Sequence, residues 1–204
     1  MDTRRTADRN ALTALLRSFD LGIDARKAVT DAQIRAIAAW RTRSTDDTAD
    51  ATIRDEARQL ATSVLDLGRQ LRTNRAGLSK HVEELAPGLL EVFGLGPVTA
   101  AAILAAYSHK GRVHSEAAFA ALAGAAPIPA SSGNTVRYRL NRHGDRQLNQ
   151  ALDVIAKIRS VHDAQTRDYI ERRMAQGKSH REIRRCLKRY IARQMFRRLN
   201  SIMT

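Results

Sequence analysis

Two adjacent hydroxyls, Ser131 and Ser132, stand in a stretch where Pro127, Pro129, Gly133 and Asn134 rule out a continuous helix. Arg137, Arg139, Arg142 and Arg146 follow them directly. A guanidinium pairs bidentately with phosphate oxygens and keeps its charge near neutral pH. A serine hydroxyl is a weak nucleophile until something activates it, and charge developing on phosphorus needs fixed cationic donors nearby. Serine at a bend beside a run of arginines therefore suits attack on a phosphodiester.

Rigid elements must hold that bend. The segments 116–123 and 145–159 on either side have helical composition, rich in Ala, Leu and Gln. Aromatics make up only 4% of the 204 residues, and β-branched residues are scattered, so little is available to fill a pleated surface. The expectation is an all-α protein with one ordinary core, or a small core and an extended helical arm.

The net charge of +14 is concentrated in one part of the chain. Between Arg137 and Arg198 there are 18 Lys and Arg against 6 Asp and Glu, a balance of +12; the remaining 17 and 15 balance to +2. A polyanion is the natural partner of such a segment, because neutralising phosphates releases condensed counterions. An anionic membrane surface is the rival. The single cysteine, Cys186, excludes an internal disulfide and a cysteine-clustered zinc site, and the six histidines show no paired ligand spacing, so no metal site is expected. No cleavable signal is visible, and the most apolar run, 98–107, is too short to span a bilayer. A cytoplasmic, nucleoid-associated protein is expected.

Residues 1–30 read as a remnant or connector of an N-terminal domain, with Ala11, Leu12, Leu15, Leu16 and Phe19 in a short amphipathic stripe. Asp31 is placed to cap a helix carrying Ile34, Ile37 and the core anchor Trp40. From Ile53 through Ala57, Leu60, Val64, Leu67, Leu71, Asn74, Leu78 and His81 to Leu85, intervals of four and three alternate. This seam makes 31–86 a coiled-coil arm, a long helix or hairpin with Asn74 setting register, through which the chain forms homo-oligomers. An amphipathic helix lying on the chain's own core is the other reading. Gly68 and Gly77 are placed to bend or break it.

In residues 87–204 a short helix ends at Gly94 and another begins at Pro97, so Gly94-Leu95-Gly96 resembles the turn of a helix-hairpin-helix motif. Gly94 and Gly96 would then let backbone N–H groups meet a DNA phosphate. Past Asp145 the chain reads as helical, broken near Asp163 and Gly177, with Ser179 and Glu182 forming a capping box. The last helix has Ile183, Leu187, Tyr190, Ile191, Met195 and Leu199 on one stripe and arginines and lysines elsewhere. Cys186 is expected as a small core residue.

Four stretches carry a family resemblance: Gly-Leu-Gly-Pro-Val-Thr-Ala-Ala, Phe-Ala-Ala-Leu-Ala-Gly-Ala-Ala-Pro-Ile-Pro-Ala-Ser-Ser-Gly, Arg-Leu-Asn-Arg-His-Gly-Asp-Arg-Gln-Leu-Asn and Arg-Glu-Ile-Arg-Arg-Cys-Leu-Lys-Arg-Tyr. Together they look like the C-terminal half of an insertion-sequence transposase of the IS-one-ten family. The resemblance implies a helical transposase domain at 87–204 in which Ser132, directly before Gly133, attacks DNA and forms a covalent phosphoserine link; Ser131 is the adjacent fallback. It also implies a structured guide RNA as partner, and an N-terminal RuvC-like domain whose carboxylates hold Mg²⁺. The cationic role of Arg137, Arg139, Arg142 and Arg146 comes from their chemistry and not from the family.

Of the acidic motif the chain offers only Asp8, with Arg5 where an earlier Asp is expected. A truncated transposase is therefore expected, with no cofactor of its own and Mg²⁺ only alongside a complete acidic domain, supplied in trans. Two alternatives stand beside it: a non-catalytic nucleic-acid-binding helical protein derived from a transposase, and a basic membrane-surface protein.

Overall fold

A computed structural model describes residues 1–41, 43–131, 135 and 138–203. The elements are α1 (Asp2–Ser18), α2 (Asp31–Ala38), α3 (Thr48–Leu85), a 3-10 turn (Leu89–Glu91), α4 (Pro97–Tyr107), α5 (Glu116–Leu122), β1 (Ile128–Pro129), β2 (Tyr138–Arg139), α6 (Arg146–His162), α7 (Ala164–Ala175) and α8 (His180–Ile202). Helix dominates, as composition requires. The departure is a two-stranded antiparallel ribbon, Ile128 opposite Arg139 and Pro129 opposite Tyr138. At two residues per strand it is too short to leave an alternating pattern in the sequence. The chain divides into two compact units, Met1–Arg75 and Ala76–Thr204.

The first unit buries Leu12 and Leu16 of α1 with Val29, Ile34, Ile37, Ala57, Ala61 and Val64. Thr30, not Asp31, caps α2: its Oγ1 accepts from the Gln33 N–H, and the Gln33 side chain accepts from the Thr30 N–H at 2.9 Å. The reciprocal box satisfies two helix-end donors, more than a lone aspartate one residue on would. Trp40 lies half-buried against this core with the Arg54 guanidinium 4.4 Å from its ring centre. Arg54 pairs with Asp46 at 3.2 Å, both side chains nearly enclosed.

Helix α3 runs without interruption through Gly68 and Gly77, contrary to the expected bend or break. Each glycine costs about 1 kcal/mol relative to alanine, too little to end a helix this long. In the first unit the seam's Ala57 and Val64 are buried and its Leu60 packs against the same core, joined there by Arg54 and Ala61, whereas farther along the seam Asn74, His81 and Leu85 are exposed. The seam thus follows the buried stripe at its start and leaves it toward its end.

The second unit is built on α4, α5, α6 and α8. Tyr107, Phe119 and Phe196 meet with ring centres 6.0–6.2 Å apart, two of the three contacts edge-to-face, amid Ile103, Leu148, Leu152, Ile155, Met195 and Leu199. The alanines of α4 let it lie close to α6. Each helix start carries its signal: Pro97 in the first turn of α4, Ser115 at α5, Asp145 at α6, Asp163 at α7 and the Ser179–Glu182 box at α8. Asp163 both ends α6 and caps α7, so no linker separates them. No described helix is long and apolar enough to cross a membrane.

Candidate functional site

The end of α5 fixes the loop that carries the arginines. Its last carbonyls have no partner within the helix. Three donors from the 141–149 segment supply one: Asn141 Nδ2 to Ala121 O at 3.0 Å, the Asp145 N–H to Leu122 O at 2.7 Å, and Asn149 Nδ2 to Ala123 O at 2.6 Å. Gly144 lets the two backbones meet, because a Cβ there would overlap the main chain of Ala123 and Gly124. Gly124 itself turns the chain at φ +64°. Within the loop, Asn141 Oδ1 accepts from the His143 N–H at 3.0 Å, and Asp145 caps α6.

With those groups turned inward, the cations face out. Arg139 and Arg142 line an open cleft of about 790 Å³, and Arg173, Lys178, Arg185, Lys188 and Arg189 from the α7–α8 region line its other parts. Glu182 is the sole acidic group lining the cleft among the described residues, and it is engaged by the capping box and by Lys178 at 3.8 Å. Tyr138, Leu140, Ile183 and Cys186 supply apolar surface. Lys188 is largely enclosed: its Nζ donates to Asn149 Oδ1 at 2.9 Å and lies 3.9 Å from Asp153, which also pairs with Arg184 and Lys157. Burial pushes the Lys188 ammonium below its ordinary pKa; Asp153 acts the other way, while Arg184, Arg185 and Lys157 add to the depression. Positive charge is thus crowded here beyond what the protein's own carboxylates neutralise.

The structure therefore brings Arg139 and Arg142 together. Arg146 is exposed in the first turn of α6 and does not line the cleft. Ser132 and Arg137 lie outside the described residues; Ser131 is exposed in the segment joining β1 to β2. Cys186, expected in the core, is instead half-buried on the cleft wall. Arg173 and Lys178 went unrecognised in the sequence, because only packing of α7 and α8 brings them to the arginine loop. A glycine directly before the Asp145 cap was the available sign of Gly144.

Gly94 and Gly96 do different jobs. Gly94 has φ +88°, and a Cβ there would press on Ile155 Cγ2 at 3.3 Å and Arg159 Cγ at 3.4 Å, so it lets α6 approach. The Gly96 N–H donates to Thr99 Oγ1 at 2.9 Å, and its Cβ position opens on empty space. A 3-10 turn, not an α-helix, precedes these glycines.

Residues 86–171 match the sequence profile of the Transposase IS116/IS110/IS902 family. An uncharacterized 43.6 kDa protein of the insertion element IS110 from Streptomyces coelicolor is 32% identical over 124 residues, 59% of this chain. The chain spans 31% of the length of that relative. The matched segment holds α4, α5, the ribbon, the arginine loop and α6, so over these residues the chain is similar to the IS116/IS110/IS902 transposase family.

Proposed function

We propose that this chain acts on DNA as part of an insertion-sequence transposase, with Ser132 as the nucleophile for strand cleavage and rejoining. The observation that carries this reading is the cleft in which Arg139 and Arg142 face Arg173, Lys178, Arg185, Lys188 and Arg189. These cations hold a backbone phosphate, and Arg137 and Arg146 are further phosphate contacts by their chemistry. In the reaction, the Ser132 Oγ–P bond forms as the bond from phosphorus to a deoxyribose oxygen breaks. The hydroxyl proton leaves the nucleophile and the departing oxygen takes one up. The phosphoserine link conserves the bond energy, and rejoining reverses the step. Arginine and lysine charges stabilise the added negative charge on phosphorus.

The described carboxylates do not fit a Mg²⁺ site. Asp8 accepts a hydrogen bond from Ser63 Oγ at 2.6 Å and lies 3.9 Å from Arg4, and no group of three or more His, Cys, Asp or Glu is placed to hold a metal among the described residues. Mg²⁺ would act here only with the acidic domain that the family resemblance implies. Homo-oligomerisation through α3, a structured guide RNA and a place in the cytoplasm at the nucleoid complete the proposal. Gly94 and Gly96 belong to it as a backbone contact at the start of α4, tested by Gly96→Val, which leaves the fold intact and lowers DNA affinity.

Cys186 gives a direct test, being the chain's single cysteine and a lining residue of the cleft. Bound DNA slows its reaction with a maleimide, and Arg185→Glu abolishes that protection; an unchanged labelling rate in saturating DNA refutes the cleft as the interface. For the chemistry, donor DNA and the full chain, with the acidic domain supplied, are to give a covalent adduct lost in Ser132→Ala and retained in Ser131→Ala. Protection without any adduct turns the assignment to a non-catalytic binder.

A further inference from the structure

We propose that Tyr138 is a stacking platform for an unpaired base, so that the cleft favours single-stranded or locally opened nucleic acid over intact duplex. This rests on the cleft being the nucleic-acid interface. Tyr138 and Leu140 remain 65% and 51% exposed although both line it. Pairing of Tyr138 with Pro129 holds its backbone in the ribbon, so the ring is presented from a fixed base. Arg139, Arg142, Arg173, Arg185 and Arg189 line the same cleft.

Cations alone would serve a duplex, which offers phosphates and keeps its base faces stacked on each other. An exposed aromatic among those cations has no partner on such a surface. An extruded or unpaired nucleotide supplies both, a phosphate for the guanidiniums and a π face for the ring, and stacking tolerates any base. The open cleft, at about 790 Å³, has room for one nucleotide. Of the other exposed aromatics described in this unit, Tyr190 is already in edge-to-face contact with Tyr169 at 5.9 Å, and Phe93 does not line the cleft.

The test measures binding of the full chain to one labelled sequence as single-stranded DNA, single-stranded RNA, duplex DNA, and duplex DNA with a one-nucleotide bulge. Tyr138→Ala is expected to weaken binding of a single strand and of the bulged duplex by about 5-fold to about 100-fold, the worth of one stacked base. Intact duplex should change by less than about 2-fold. Tyr138→Trp keeps the preference. Whether the DNA or the RNA strand suffers the larger loss identifies which source supplies the base. Equal losses on all four, or none, overturn the proposal. Cys186 protection separates the two failures: if wild-type protein shows protection and Tyr138→Ala is unselective, only the stacking role falls; without protection, the interface falls with it.

Discussion

Substituting alanine for Gly144 tests whether the arginine loop is held by its contact with α5. The added methyl would overlap the Gly124 nitrogen and Cα and the Ala123 carbonyl carbon, all backbone atoms, so no side-chain rotation relieves it. The loop must move away, stretching the bonds from Asn141, Asp145 and Asn149 to Ala121, Leu122 and Ala123. Losing two of the three costs about 1–3 kcal/mol at ordinary net strengths. Residual overpacking adds about 1–3 kcal/mol, so the expected destabilisation is about 2–6 kcal/mol. Chemical denaturation followed by Cys186 labelling reads this in the second unit; Trp40, the chain's single tryptophan, lies in the first and does not report it. Hydrogen exchange at Asp145 gives the local signature, faster exchange of an amide now bonded to Leu122. A shift within about 0.5 kcal/mol, the range of ordinary surface substitutions, would refute the argument.

Other substitutions probe separate contacts. Asp46→Ala leaves the Arg54 guanidinium enclosed without its counter-ion and is expected to cost about 3–5 kcal/mol, followed by Trp40 fluorescence, since Arg54 lies over that ring. Gly94→Ala is strained at φ +88° and crowded by Ile155, and should lower stability by about 1–2 kcal/mol, whereas Gly96→Ala, with open space and φ −115°, should change it by less than about 0.5 kcal/mol. Hydrogen bonds from the Ser179 N–H and hydroxyl hold the Glu182 carboxyl below its ordinary pKa of 4.5. A lowered folded pKa means that this contribution is complete above the ordinary value and is lost as pH falls through the folded one. Ser179→Ala, which keeps the N–H bond, should move the Glu182 titration part of the way upward in NMR, and an unmoved titration would remove the hydroxyl as a cause.

Much of the second unit could be read from local chemistry. Pro97, Ser115, Asp145, Asp163 and Ser179 all mark helix starts, because a cap is satisfied by residues two or three positions away and needs no distant partner. The site was legible only by half. Arg139 and Arg142 were visible as cations after a bend, but nothing local says that Arg173, Lys178 and Arg189 will face them, since that depends on how α7 and α8 pack. The seam of α3 found Ala57, Leu60 and Val64, which pack in the first unit, but periodicity alone does not say where along a helix the packing stops, and Asn74, His81 and Leu85 are exposed. Thr30 displaced Asp31 at α2 because Gln33 could answer it.

Asn141, Gly144, Asp145 and Asn149 anchor the arginine loop, while Arg142 and His143, interleaved with them, point to solvent. That separation of duties makes the segment re-engravable. A library that randomises positions 142, 143 and 146 should yield mostly folded chains with altered ligand preference, whereas one aimed at 141, 144, 145 and 149 should yield mostly insoluble ones. New specificities can thus be reached by changing lettering on a plate whose rivets stay put.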